Sequence, residues 1–456
     1  MILRKVAGPL LASALIVGAF AGCSSTGSTQ TPSQTTGATQ ASAGTAETPV
    51  ASASTPVASA STPVASASTP ASTQSVYEQA LSLACPTTTK KTFNVGMVRW
   101  TPSDIFFNGV QLGEQMEKDR IQKDCGVTIN WNVSGADDVT PQVNALQADL
   151  STGVDGVDLV PWDGSAFTAT LNQLASQKLP VVVHNSIVPS APQTFVAFDN
   201  VKAGNIAGTA AIKILDTNRG QAWRQQDGVF VELRCILSLS ADIGRDKGYH
   251  QVMDPIIAAS GGKIHLETRV VACDDSKARQ AMDDLITKYG SQVLAAFAID
   301  GDSGFGAESA IISHSMNTAK TDAKYIPVVA VDGSEAEMTL EAKGQMTTSA
   351  EQPAIAEGVI TERLLYYQMA TGTLLDNAPA TETDVQLPGY DGAPWQPIKI
   401  TTDPTFTGPW YEVQTFDNTS IPLDDHWHWA NIQDQTKTGQ WPHYTSDGCV
   451  SGCPSS

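Results

Sequence analysis

Four short apolar runs in this chain end in side chains suited to holding a polar ligand. FNVGMVRW (93–100) gives way to Ser103 and Asp104 and then to the aromatic pair Phe106 and Phe107. LPVVVHN ends in His184 and Asn185, VLAAFAID in Asp300, and IPVVAVD in Asp332. Carboxylates accept hydrogen bonds, amides donate and accept them, and aromatic faces exclude water, so the chemistry on offer is recognition. Any one of these residues could equally be a turn or helix-cap residue. Four of them at equivalent places argue for a shared pocket.

The elements that would position them are strands feeding helices. A β-rich run, a polar turn and a helix-like segment make the unit of a parallel sheet, whose ligand groups gather at the carboxyl ends of its strands. FNVGMVRW, VTINWNV, GVDLVPWD and LPVVVHN, with helical stretches between them, form one βαβ series. After FVAFDN a second series begins, with a helix at Val201–Leu215, then GVFVELRC, IHLETRVVAC and VLAAFAID. Two series of similar size predict two similar α/β lobes.

The ends of the chain read differently. Arg4 and Lys5, an apolar run to Phe20, and Ala21-Gly22-Cys23 form a secretory signal too short to span a membrane comfortably. It resembles a bacterial lipoprotein signal (1–22), in which Cys23 would be lipidated and become the new N-terminus; Phe20 departs from the usual Leu. Residues 23–75 are rich in Ser, Thr, Ala and Pro, and Pro49, Pro56, Pro63 and Pro70 recur seven apart. No large apolar residue shares that period and Pro forbids a helix interior, so the segment is expected to be a tether and not a coiled coil. Its reach would be about 40 Å as a flexible coil and about 150 Å if fully extended in polyproline II form.

About 380 residues remain, enough for two lobes. The formal charge of −20 argues against nucleic acid as a partner and against an electrostatic grip on anionic lipid. Leaving Cys23 aside, six cysteines remain, an even number suited to an oxidising compartment. Fifteen pairings are open, as are free thiols; the expected pairs are Cys85 with Cys125, Cys235 with Cys273, and Cys449 with Cys453.

From about Lys91 to Pro388 the chain resembles the type I periplasmic sugar-binding proteins of ABC importers, the ribose- and galactose-binding group. The resemblance rests on DIFF after the first strand, VDGVDLVPWD, FDN (198–200) followed by AGNIAG, GRDKGY (244–249), AAFAID and VVAVDG, in that order and spacing. It implies an α/β fold of two Rossmann-like lobes with parallel sheets, joined by three crossovers near Asp199–Asn200, Glu351–Gln352 and Val385–Pro388. It also implies an N-terminal lobe at 76–199, completed by about 352–385, and a C-terminal lobe at 200–351, completed by about 386–400. Ligand would bind between the lobes and close them by hinge motion. Carried over by position, the first lobe would supply Trp100, Asp104, Phe106, Phe107 and Asn185. The second would supply Arg245, Asp300, Asp332 and, beside the hinge, Glu351. The implied ligand is a small polyhydroxylated molecule such as a monosaccharide, the partner an ABC permease, and the membrane contact a lipid anchor alone. No catalysis and no cofactor are expected.

Three departures concern the ligand. Asn185-Ser186 stands where the ribose-binding pattern has Asp-Arg, Cys273 where it has Phe, and Glu351 where it has Gln. The site is thereby more acidic, which leaves amino sugars, other cationic polar ligands and differently hydroxylated polyols open. A sensor that presents ligand to a chemoreceptor or kinase is the alternative among binding proteins. An extracellular carbohydrate-active enzyme, with Asp300 and Asp302 as its acid and nucleophile, is the alternative from another class. Asp300-Gly-Asp-Ser-Gly fails as a calcium loop because Ile311 holds the twelfth position, and no Walker, GxSxG or HExxH motif appears. The tail beyond Pro388 carries five of the nine Trp and the run His426-Trp427-His428-Trp429. Packing of this Trp-rich extension (401–456) against the C-terminal lobe is expected, and no metal.

Overall fold

The computed structural model describes residues 74–100 and 103–454; the leader, Cys23 and nearly all of the tether lie outside them. Two parallel sheets face each other across a cleft. The first is built from β1 (Thr92–Arg99), β2 (Thr128–Gly135), β3 (Gly156–Leu159), β4 (Val181–His184) and β5 (Thr194–Phe198). The second holds β6 (Gly228–Arg234), β7 (Ile264–Val270), β8 (Val293–Ala298), β9 (Val328–Asp332) and β10 (Thr348–Glu351). β3, β4, β5, β6 and β8 are buried along their whole length, as expected of parallel strands covered by helices on both faces.

In the first lobe α1 (Val76–Ala80), α2 (Ile105–Cys125), α3 (Val139–Thr152) and α4 (Thr168–Ser176) flank the sheet. In the second, α5 (Asn200–Arg219), α6 (Ser240–Ala259), α7 (Asp275–Tyr289), α8 (Gly301–Ser313) and α9 (Glu335–Ala342) do so. The helix α10 (Ala354–Thr371) returns to the first lobe and packs along α2. The polar residues that end the strands start these helices. Asp104 Oδ1 accepts from the Phe107 N–H at 3.0 Å, Asp199 from Val201 at 2.8 Å, and Asp300 from Ser303 at 2.9 Å. Each satisfies a helix N-terminal donor that would otherwise lack a partner.

Packing of α5 on α6 depends on two glycines. A Cβ on Gly204 would strike the Arg245 carbonyl and one on Gly248 the Val201 carbonyl, so the helices meet backbone to backbone. That contact holds α6, and Arg245 with it, against the start of α5.

The C-terminal third corrects the expected lobe boundaries. β11 (Thr383–Val385), β12 (Ile398–Thr401) and β13 (Trp410–Val413) extend the first sheet, whose order is β11-β12-β13-β5-β4-β3-β1-β2. Residues 386–400 therefore complete the first lobe and not the second. β13 pairs parallel to β5, Ile398 and Tyr411 are buried in the first-lobe core, and Trp410 Nε1 donates to the Ala197 carbonyl at 3.0 Å. The third crossover moves with them, from Val385–Pro388 to about 414–417. There the Glu351 N–H donates to the Phe416 carbonyl at 2.8 Å, and Asp417 bridges Ala350.

Beyond that crossing, α11 (Trp429–Thr438) lies against α2 and α10 of the first lobe, while the hairpin β14 (His443–Thr445) and β15 (Gly448–Ser451) packs on α9 of the second. The extension therefore touches both lobes, where packing on the second alone was expected. Cys85 is bonded to Cys125, Cys235 to Cys273 and Cys449 to Cys453. No helix among the described residues is long and apolar enough to cross a membrane.

Candidate binding site

A cavity of about 380 Å³ opens between the carboxyl ends of the two sheets, a volume suited to a small molecule. Its first-lobe wall is aromatic. Trp100 stands 4.4 Å from Trp162 and 5.3 Å from Phe107 between ring centres, and Phe107 lies edge-on to Phe106 at 5.1 Å. The rings are nearly buried but line the opening, so they can cover an apolar ligand face. Asp104 enters beside them from its capping position, its carboxyl pushed up by burial. Asn185, with φ of 63°, turns the chain off β4 and donates to Gln352 Oε1 at 3.3 Å. Asn is among the few side-chain-bearing residues that tolerate this left-handed backbone.

The second-lobe wall is charged. Arg245 is 6% exposed; its Nε donates to Asn200 Oδ1 at 2.9 Å, and its Nη1 donates to the Ile299 carbonyl at 2.7 Å and lies 3.8 Å from Asp332 Oδ1. Asp332 also accepts from the Gly301 N–H at 2.8 Å and from Gln352 Nε2. Burial pushes the Asp332 carboxyl up to about 7, with Arg245 opposing the shift and Asp300 adding to it. Burial likewise raises Asp300. At the lip, Asp302 is pushed up to about 6, by desolvation first and then by the neighbouring Asp300 and Asp104. The Cys235–Cys273 disulfide joins the ends of β6 and β7 and forms part of the cavity wall.

Eight of the nine sequence-derived ligand residues line this cavity: Trp100, Asp104, Phe106, Phe107, Asn185, Arg245, Asp300 and Asp332. Glu351 does not. Its side chain is fully buried, Oε2 pairing with His428 Nδ1 at 2.9 Å and Oε1 accepting from the Trp429 N–H at 3.1 Å. The neighbouring Gln352 occupies the cavity wall in its place. His428 Nε2 donates to the Pro422 carbonyl at 3.0 Å. Burial opposes a charge on this imidazole, but Glu351 outweighs it and raises the pKa. Strand-end His184 also turns away from the cleft, into the first-lobe core.

Trp429 was not foreseen. It lines the cavity from the C-terminal extension, its Nε1 donating to the Asp332 carbonyl at 2.8 Å and its ring edge-on to Phe106 at 6.0 Å. One indole thus touches both walls. The only hint in the sequence is the density of Trp in the tail.

Two α/β lobes with a cleft at the carboxyl ends of their sheets, joined by three crossovers, define a hinged binding protein. The chain belongs to the periplasmic binding protein domain family, whose family model matches residues 95–373; its members bind ligands and are not enzymes. It is 26% identical over 276 residues to the ribose import binding protein of Bacillus subtilis, covering 60% of this chain and 81% of the relative. It is 20% identical to the D-xylose-binding periplasmic protein of Haemophilus influenzae over 50% of this chain and 75% of that one. In fold it is similar to a solute-binding protein of Agrobacterium vitis bound with α-D-tagatopyranose, with a TM-score of 0.54, 16% identity, and coverage of 73% of this chain and 97% of that one. A galactofuranose-binding protein gives a TM-score of 0.52 at 18% identity, covering 62% and 90%.

Proposed function

We propose that the chain is the extracytoplasmic solute-binding component of an ABC importer. It captures a monosaccharide or a related small polyol between the lobes and delivers it to a permease. The observation that carries this reading is the two-walled cavity: clustered aromatics on one lobe face Arg245, Asp300 and Asp332 on the other. A pyranose or furanose offers the matching surfaces, an apolar C–H face for the rings and hydroxyls for the fork of Arg245 and the carboxylates. Such a ligand touches both lobes, and contacts to both are what favour a closed form over an open one. The names of the relatives support a sugar, and the excess of carboxylates over the single Arg keeps aminated polyols within the class.

Cys23 and the tether complete the proposal: a lipid on Cys23 anchors the folded part to the outer face of the cell membrane. Mass spectrometry of the protein recovered from a bacterial host tests the anchor, since a diacylated N-terminal Cys23 is expected and an unmodified one refutes it. For the ligand, a thermal-shift screen of pentoses, hexoses, polyols and amino sugars is the test, because a ligand of the native state raises the melting temperature. Absence of any hit across those classes would overturn the sugar reading.

A further inference from the structure

Outside the cleft, the second lobe carries a group of donors that binding between the lobes does not use. On α6, Asp246, His250 and Asp254 follow at intervals of four and share one helix face. Glu232 on β6 and Thr268 on β7 face them from the sheet.

The histidine is oriented from behind. Its Nδ1 lies 2.9 Å from Asp254 Oδ1, which fixes the ring and aims Nε2 inward. Nε2 then lies 3.5 Å from Asp246 Oδ1 and 3.8 Å from Glu232 Oε2. Those separations are long for hydrogen bonds. They are close to the spacing of donors around one ion, since metal–ligand bonds of 2.0–2.2 Å in a tetrahedron put neighbouring donors about 3.3–3.6 Å apart.

A second observation is independent of the α6 stripe. The Glu232 side chain is 1% exposed, its Oε2 accepts from the Thr268 hydroxyl at 2.9 Å, and its Oε1 has no hydrogen-bond partner. A buried carboxylate with one oxygen unpartnered is costly, and a cation at its Oε2, the oxygen that faces His250, would offset the charge that burial penalises. Arg234 also reaches this group, its Nη1 on Asp246 and its Nε on Asp242. That Nη1 sits on Oδ1, the oxygen that faces His250, so an ion would share the second lone pair of Oδ1 or take Oδ2.

We propose that Glu232, Asp246 and His250 bind a divalent cation of the zinc class. Their donor atoms all lie within 4.8 Å of one another. One nitrogen and two carboxylate oxygens leave a fourth position for water, the ligand set that borderline cations such as zinc accept. Asp254 is the outer partner that sets the tautomer of the histidine, and Thr268 and Arg234 steady the carboxylates. The side chains of His250 and Asp246 are 34% and 26% exposed, which gives the ion a way in. The ion joins β6 to α6 immediately beside Arg245, so its structural effect falls on the helix that carries the charged wall. The site does not depend on what the cleft binds.

The test is titration of the chelator-stripped full chain with zinc by calorimetry, and with cobalt(II) by visible absorption. One zinc per chain is expected, with tetrahedral cobalt bands and a raised melting temperature. Asp254→Asn should weaken zinc binding by about 10-fold, within the range seen when a ligand's outer partner is removed, and His250→Ala, which removes the ligand itself, by at least about 30-fold. His426→Ala, at an exposed histidine of the extension, should leave binding unchanged. His250 is partly exposed, so metal-free H250A should melt with the metal-free parent; if it does not, E232Q provides the same comparison. No saturable zinc, or equal binding by parent and variant, overturns the proposal and leaves the 246–250–254 stripe as ion pairing alone.

Discussion

The two lobes share a fold and treat charge in opposite ways. The second brings Arg245, Asp300, Asp302 and Asp332 to the cleft. The first presents chiefly aromatic rings there, with Asp104 beside them, and gathers a charged cluster beneath, in the core between sheet and helices. Arg99 Nη2 donates to Glu114 Oε2 at 2.8 Å, while His184 meets Asp158 at 2.8 Å and Glu357 at 3.0 Å. Glu362 is buried beside them with both oxygens unpartnered. Burial drives Glu114 up to about 8 and Glu362 well above its ordinary value. With those two protonated, two carboxylates face two cations and the buried group is neutral. The difference lies at the cleft, which the first lobe meets chiefly with rings laid over a buried charged cluster and the second with Arg245 and its carboxylates.

The sharpest way to break this comparison is Arg245→Ala. It leaves Asp332 and the Ile299 carbonyl facing an unfilled space, and removing one member of a buried charge pair costs about 3–5 kcal/mol. Calorimetry should show affinity for the screening hit reduced by about 100-fold or more, and a loss under 3-fold would mean that the charged wall does not orient the ligand. On the aromatic side, Phe107→Ala should lower unfolding stability by about 3–5 kcal/mol, as for other buried aromatics. Denaturant melts would measure it, and the affinity should fall with it because Trp100 loses its neighbour.

Next in size is the pH dependence of the unliganded fold. Glu114 is raised from 4.5 to about 8 and His184 from 6.5 to about 10, His184 chiefly by Asp158 against the opposing effect of burial. A raised folded-state pKa means the native state holds its proton more tightly than the unfolded chain does. The stability it contributes is present below the unfolded value and is lost as pH rises through the folded one. The protein should therefore melt higher at pH 5.5 than at pH 8.5, and Glu114→Gln should flatten part of that slope. A melting temperature that rises over the same interval would contradict the assignment to the first-lobe core. The smallest effect is expected at the lip: Asp302→Asn should change affinity for a neutral sugar by no more than about 3-fold, because at the lip a water can take over a lost contact to a hydroxyl. A larger loss for an aminated ligand than for its neutral counterpart would sharpen the role of the charged wall.

Much of this was legible in the sequence because strand-end residues report on themselves. Asp104, Asp300 and Asp332 end or follow runs whose burial is forced by composition, and a residue at or just past the carboxyl end of such a strand lies at the mouth of the cleft. The same rule failed at His184, which ends β4 as Asp332 ends β9, but whose ring is drawn into the core by Asp158 and Glu357. Glu351 was misplaced because its partner, His428, lies 77 residues away in a segment with no strand-turn-helix pattern. The expected C-terminal boundary failed for a related reason. Short strands such as Ile398–Thr401 carry too little pattern to declare which sheet they join, and the choice is made by long-range pairing with β5 through β13.

The disulfide in the cavity wall adds a matter of timing. Because Cys235 and Cys273 pin the ends of two strands beside Arg245, the contour of the pocket is finished by an oxidation and not by folding alone. A chain kept among reduced thiols would fold around two separate sulfhydryls and present a looser wall to any ligand in that compartment. Competence to capture would then be acquired only after departure from a reducing interior, so the molecule would not begin work where its cargo is to be released.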